Sequence, residues 1–140
     1  MAASFRIFPE HHLACFRYSG RVTIADYLGV LRGFPRDPEF KLGLKHVTDI
    51  SDLEEIETDH TMMMQIQAKI AEYVVGAPVE TLSVIIAPTE AALNAAAMVM
   101  RSWKGLDVPV ARSVVASASE AAKLLGIDEA TIKACLNEIA

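Results

Sequence analysis

Runs of β-forming residues mark the predicted strands of this chain. Ser4 to Phe8 and His12 to Tyr18 are two such runs, separated by a turn that contains Pro9, and they predict an antiparallel hairpin. Three later runs predict further strands, at Lys45 to Ile50, Leu82 to Ala87 and Val108 to Val115. The run from Leu82 is almost continuously apolar, as expected of a strand covered on both faces. Pro109 near the start of the last run favours an edge strand.

Apolar residues at helical spacing fill the intervals between these runs. Thr23 and Asp26 have the spacing of a capping box, and Ile24, Leu28 and Leu31 follow on one helical face. The predicted helices run from Thr23 to about Phe34, from about Met62 to Val74 with a stop at Gly76 and Pro78, from about Pro88 to Trp103, from Ser117 to Gly126, and onward from Asp128.

The resulting element order predicts an α/β fold. A hairpin is followed by alternating strands and helices, which favours one mixed sheet of about five strands with flanking helices. The 140 residues are enough for one hydrophobic core, so we expect a single domain over residues 1–140.

Composition narrows the range of partners. The formal net charge of −5 opposes binding to phosphate backbones, and we expect no nucleic-acid partner. The first six residues, Met-Ala-Ala-Ser-Phe-Arg, lack the basic-then-apolar order of a secretory signal, and no uncharged run reaches the roughly 20 residues that a membrane span needs. We therefore expect a cytoplasmic protein without a membrane span. Cys15 and Cys135 are expected to be buried, reduced thiols.

Four segments together carry a resemblance to a known family. They are Tyr-Ser-Gly-Arg-Val-Thr at 18–23, Asp-Pro-Glu-Phe at 37–40, Thr-Asp-Ile-Ser at 48–51 and Ser-Glu-Ala-Ala-Lys-Leu-Leu-Gly at 119–126. In order and spacing the chain resembles the bacterial SpoIIAA-like proteins of the STAS fold, mostly of unknown function. The resemblance implies a STAS-like α/β domain with a regulatory or protein-interaction role.

The resemblance also points to a candidate phosphoacceptor. In the signalling branch of that family, an Asp-Leu-Ser strand end precedes an Asp-Ser-Ser-Gly segment whose serine a partner kinase phosphorylates. The corresponding segment here, Glu57-Thr58-Asp59-His60, has neither serine nor glycine, so Thr58 is the remaining candidate. The alternative is that Thr58 or Asp59 caps the following helix.

The chain from the third strand into the second helix is the predicted ligand or partner segment. The carboxyl end of a strand is where α/β proteins commonly place ligands, and acidic residues crowd this one. An EF-hand loop has a different spacing, so we predict no metal site and no cofactor. The candidate residues are Asp49, Ser51, Asp52, Glu57, Asp59, Met62 and Met63.

Three functional hypotheses remain open. No nucleophile elbow, phosphate loop or dinucleotide motif occurs, and the four histidines are expected at the surface. The first hypothesis is a non-catalytic regulatory or protein-interaction domain of STAS-like type. The second is a carrier or sensor of a small apolar ligand bound beneath the methionine-rich helices. The third is a weak metal-dependent enzyme that uses the acidic segment.

A further prediction is a homodimer, formed through the last strand or through a helix bearing Ile132, Leu136 and Ile139.

Overall fold

The chain starts with the predicted antiparallel hairpin. In the computed structural model, which describes residues 2–57, 59–74, 80–102 and 109–139, β1 (Ala3–Phe8) pairs with β2 (Leu13–Tyr18) from Ala3 opposite Tyr18 to Phe8 opposite Leu13. A single turn of 3₁₀ helix, Pro9–His11, joins the strands. His12 closes that turn in the left-handed region, at φ 53°.

The remaining strands of the main sheet are parallel. β4 (Lys45–Asp49) lies beside β2, β6 (Thr81–Ile86) beside β4, and β7 (Val110–Val115) beside β6. The sheet order is β1-β2-β4-β6-β7. The predicted mixed five-stranded sheet is confirmed, and so is the edge position of β7.

A second, two-stranded sheet corrects the sequence prediction. β3 (Gly20–Val22) and β5 (Leu53–Ile56) pair in parallel, although the sequence pattern predicts no strand at either place. The prediction is wrong because Leu53 and Ile56 turn inward while the two glutamates between them stay exposed. Four residues with two adjacent charges are too short a pattern to indicate a strand from periodicity alone.

The described residues contain five α-helices, and the sequence predicts each of them. They are α1 (Ile24–Gly33), α2 (His60–Val74), α3 (Glu90–Ser102), α4 (Ala118–Leu125) and α5 (Glu129–Asn137). The helix ends predicted at Gly76, Pro78 and Trp103 lie outside the described residues.

The helix caps agree with the sequence in part. The capping box of α1 is complete, since Thr23 Oγ1 accepts from the Asp26 amide at 3.1 Å and Asp26 Oδ2 accepts from the Thr23 amide at 2.9 Å. α3 begins at Glu90 rather than Pro88, and its cap is the Thr89 hydroxyl, which accepts from the Ala92 amide. Asp128 occupies the cap position of α5 without a side-chain capping bond.

The helices cover both faces of the main sheet. On one face α4 and α5 pack over alternate strand residues, among them Leu13, Val47 and Val84. The other face, which we call the first face, carries α1 and α3, with α2 against both. Ile132, Leu136 and Ile139 are buried in the chain's own core, so they are not free to form a dimer contact. Both cysteines are buried free thiols.

No helix within the described residues has the length and apolar content needed to cross a membrane.

Candidate functional site

A cavity of about 120 Å³ lies between the first face of the sheet and helices α1 and α3. We call it the sheet–helix pocket. An engineered cavity of about 150 Å³ in another protein admits benzene, so this volume is suited to the core of a small organic molecule. The sheet forms its floor, whereas α1, α3 and β5 form its walls.

Strand alternation determines which side chains form the floor. Every second residue of a strand points to the same face, so each of four neighbouring strands contributes alternate positions to the pocket. The floor residues are Phe16 and Tyr18 of β2, His46 and Thr48 of β4 with Ile50 just beyond it, Ser83 and Ile85 of β6, and Val110 and Arg112 of β7.

Three polar floor residues lie in one line across the sheet. His46 on β4 is the register partner of Ser83 on β6, and Ser83 is the register partner of Arg112 on β7. We call His46, Ser83 and Arg112 the polar row. In the next row on the same face, Thr48 of β4 is the register partner of Ile85 on β6. The pocket floor therefore has polar side chains on β4, β6 and β7, set among apolar ones.

The walls are mostly apolar, and their shape explains the open space. α3 faces the pocket with Ala95, Ala96 and Val99, whose small side chains leave room above the sheet. Tyr27 of α1 stacks on Tyr18 with ring centroids 5.3 Å apart. Because α3 has alanines where larger apolar residues would fill the core, the packing of this face leaves the cavity.

Burial and one charge control the electrostatics of the polar row. Burial, and secondarily the Arg112 guanidinium, lowers the pKa of His46 to about 4, so its imidazole is neutral at physiological pH. Burial also raises the pKa of Tyr27, an effect that Arg112 partly offsets. Tyr27 therefore stays a neutral phenol at physiological pH.

The position of His46 corrects a sequence prediction. We expected all four histidines at the surface, and His11 and His12 are indeed exposed. His46 instead packs against Phe16 and Phe34, with ring centroids 5.3 Å from each. The prediction rests on the absence of metal-ligand spacing among the histidines. It is wrong for His46 because this residue takes an inward position on a strand whose side chains point alternately to the two faces of the sheet. The His60 side chain lies outside the described residues.

Three residues of the predicted ligand segment lie together, outside the pocket. The Asp49 carboxylate is largely buried and accepts from the Ser51 amide at 2.9 Å and from the Ser51 hydroxyl. Arg17 Nη2 lies 3.6 Å from Asp49 Oδ2 and 3.8 Å from Asp52 Oδ2. The Arg17 guanidinium also donates to the Leu136 carbonyl at 3.2 Å, which ties the strand ends to α5. These contacts hold the β4 end in place on the α5 side of the sheet.

The other members of that segment are not brought to the same place. Glu57 Oε2 accepts from the Ile24 amide at 3.2 Å, at the start of α1, and Asp59 is exposed ahead of α2. Thr58 lies outside the described residues, and so do the side chains of Met62 and Met63. Among the residues that the structure describes, no three His, Cys, Asp or Glu side chains are placed to hold a metal ion.

Sequence reasoning missed the polar row, although a pattern in the strands could have found it. In β4 and β6, His46 and Ser83 take inward positions that an apolar core would fill with Val, Ile or Leu. Inward polar residues on neighbouring strands indicate a polar feature on that face. Recognising the pocket also requires the strand register and the position of α3, which the sequence pattern does not supply.

Comparison with protein-family models gives no match for this chain, and comparison with curated proteins gives none either. The fold and the site therefore define the chain by its class: an α/β domain with a mixed five-stranded sheet and a small, mainly apolar pocket under its helices.

Proposed function

We propose that this chain is a non-catalytic, STAS-like domain that carries or senses a small, largely apolar ligand in the sheet–helix pocket. The observation that carries the proposal is the cavity itself, of about 120 Å³, bordered by apolar side chains and one polar row. Ligand sites typically have this composition, with apolar walls and a few polar groups that fix orientation.

The STAS-like part of the proposal rests on sequence and topology together. The four segments that resemble the SpoIIAA-like family fall at the β2–β3 junction, after α1, at the end of β4 and in α4. An N-terminal hairpin followed by β/α units in a mixed sheet is the layout that the resemblance implies. A regulatory role would follow if ligand binding changed the surface that α1, α2 and α3 present to a partner. Such a role and a cytoplasmic location are parts of this proposal.

The contacts of the acidic segment favour a binding domain over a metal-dependent enzyme. Asp49, the most buried carboxylate of that segment, is engaged by Ser51 and Arg17. An acid or base for catalysis needs to reach a bound substrate, and Asp49 lies on the opposite side of the sheet from the pocket. Its contacts fit a structural role at the strand end.

A matched pair of cavity variants tests the proposal. Ala95→Leu places a larger side chain into the pocket from α3, whereas Ala97→Leu adds the same side chain at an exposed position of the same helix. Amide-resolved NMR titration with toluene, a neutral apolar probe, should give saturable shifts centred on the pocket in wild type and Ala97→Leu. Ala95→Leu should lose them while keeping its circular dichroism spectrum. Wild type without saturable shifts at pocket residues would refute the proposal.

A second candidate function is self-association through the sheet edge. Among the described residues, β7 pairs with β6 on one side and is the last strand of the sheet, and an edge strand can pair with another chain. Light scattering coupled to gel filtration tests this candidate directly. A dimer mass that persists on dilution would support it, whereas a monomer mass at the highest concentration reached would exclude it.

A further inference from the structure

The hydroxyl of Ser83 is a buried polar group without a hydrogen-bond partner among the described residues. Ser83 lines the sheet–helix pocket and is only 8% exposed. Within the described residues, no side-chain nitrogen or oxygen is both fully enclosed and unpartnered, so this hydroxyl reaches the cavity. Buried polar groups in folded proteins are almost always hydrogen-bonded. The partner of the Ser83 hydroxyl therefore comes from a molecule in the cavity.

His46 adds a second hydrogen-bonding group beside that hydroxyl. It is the register partner of Ser83 and lines the same cavity, and neighbouring strands lie about 4.8 Å apart, so both side chains can reach one ligand group. Neutral His46 has one N–H that donates and one ring nitrogen that accepts, and neither is hydrogen-bonded within the described residues. Arg112, the third member of the polar row, is already engaged in an interaction of its own. Ser83 and His46 are therefore the members of the row whose donors and acceptors are open to a ligand.

We propose that the ligand of this pocket is a small neutral alcohol or phenol, whose hydroxyl bonds to Ser83 and His46 and whose compact apolar body packs against Ile85 and Val99. This inference rests on the proposed function, because it specifies the ligand of the same pocket. A hydroxyl is the smallest group that both donates and accepts, which matches the donors and acceptors of the two side chains. A charged ligand would lose its hydration in a mainly apolar cavity without a free counter-charge, which is costly.

The cavity volume limits the apolar body of the ligand. About 120 Å³ corresponds to roughly one benzene ring, so phenols with one ring or short-chain alcohols fit, whereas long-chain fatty alcohols do not. Phenol is the smallest aromatic probe with this chemistry. Toluene has nearly the same shape, with a methyl group in place of the hydroxyl, and benzoate has the same ring with a negative charge.

The test compares phenol, toluene and benzoate on the wild-type protein by NMR titration at neutral pH. In a cavity without a partner for its hydroxyl, phenol would lose its hydrogen bonds to water and bind roughly tenfold or more weakly than toluene. With Ser83 and His46 as partners, phenol should instead bind at least as tightly as toluene. Benzoate should bind more weakly than phenol. The ring nitrogen resonances of His46 should shift with phenol and not with toluene, which identifies His46 as a partner of the hydroxyl.

A matched pair of serine variants locates the hydrogen bond. Ser83→Ala removes the proposed partner and should weaken phenol binding by about three- to tenfold, with toluene affinity kept within about threefold. Ser113→Ala is the control, since Ser113 follows Arg112 on β7 and so points to the opposite face of the sheet. It should leave the affinities for both probes unchanged.

Each outcome separates the inference from the proposed function. If toluene binds in the pocket but phenol binds tenfold or more weakly, the hydroxyl inference is overturned and the apolar pocket stands. Benzoate binding more tightly than phenol would also overturn it, in favour of a charged ligand, and so would phenol binding that Ser83→Ala leaves intact. If no probe binds at the pocket, the proposed function fails and the inference fails with it. Because the probe series uses wild-type protein, a folding defect in Ser83→Ala cannot leave the inference untested.

Discussion

The lowered pKa of His46 makes the stability of this fold depend on pH in a defined window. An unfolded chain holds this histidine at an ordinary pKa of about 6.5, whereas burial and Arg112 lower the folded-state pKa to about 4. Below pH 6.5 the unfolded state therefore binds a proton that the folded state does not bind. The contribution to stability is complete above pH 6.5 and is lost progressively as the pH falls toward 4.

The magnitude follows from the width of that window. Each unit of pKa difference corresponds to about 1.4 kcal/mol. The full difference between the folded-state and unfolded-state pKa of His46 would therefore contribute roughly 3 kcal/mol to the free energy of unfolding. The His46 ring is only partly buried by its exposed area, and solvent screening reduces the effect to about 2 kcal/mol. His46→Gln keeps a polar side chain at this position and cannot titrate, so it should remove this part of the pH dependence.

Urea denaturation of wild type and His46→Gln at several pH values between 4 and 7 measures this effect. As the pH falls through this range, wild type should lose about 2 kcal/mol more unfolding free energy than His46→Gln does. An NMR titration of the His46 ring, assigned by its absence in the variant, gives the pKa independently. A wild-type minus variant difference that stays constant with pH, together with a ring that titrates near 6.5, would refute the assignment of His46 as a buried neutral base.

Three further predictions concern single sites outside the pocket. Thr23→Ala removes the capping bond to Asp26 and should lower the free energy of unfolding by about 1 kcal/mol; no change would mean that the α1 cap contributes nothing. Gly126→Ala forces an alanine into the left-handed region at φ 66° and should lower the free energy of unfolding by about 1–2 kcal/mol. Gly29→Ala, in open space within α1, should instead raise it by up to about 1 kcal/mol. Equal effects of the two alanines in thermal unfolding would contradict this backbone explanation. Asp49→Ala should lower the free energy of unfolding by about 2 kcal/mol, yet leave toluene affinity unchanged; weakened binding would place Asp49 in the site after all.

The sequence predicts the layers of this fold well because apolar residues recur at regular spacing along its longer strands and helices. The hairpin and the parallel strands β4, β6 and β7 follow from local patterns in runs of five or more residues, and the α1 capping box follows from the spacing of Thr23 and Asp26. β3 and β5 do not, since strands of three and four residues are stabilised by pairing with each other across 30 residues of chain. Their contact is a tertiary effect that no local pattern contains.

The candidate site was less predictable because it depends on strand register. Acidic residues near a strand end drew attention to Asp49 and Asp52, which the structure assigns to an ion-paired strand end with Arg17. His46 and Arg112 are 66 positions apart along the chain and come into one line only through the pairing of β4, β6 and β7. The space above them depends on alanines in α3, which also have a purely structural explanation, namely close approach of the helix to the sheet.

The most direct test of the pocket is to locate a bound probe by intermolecular nuclear Overhauser effects. Isotope-labelled protein saturated with toluene should show cross-peaks between the toluene protons and the methyl groups of Ile85 on β6 and Val99 on α3, which both line the cavity. Ala95→Leu should abolish them and Ala97→Leu should preserve them. Saturable binding with cross-peaks only to exposed side chains such as Leu124, or no binding at all, would contradict a ligand pocket between the sheet and its helices.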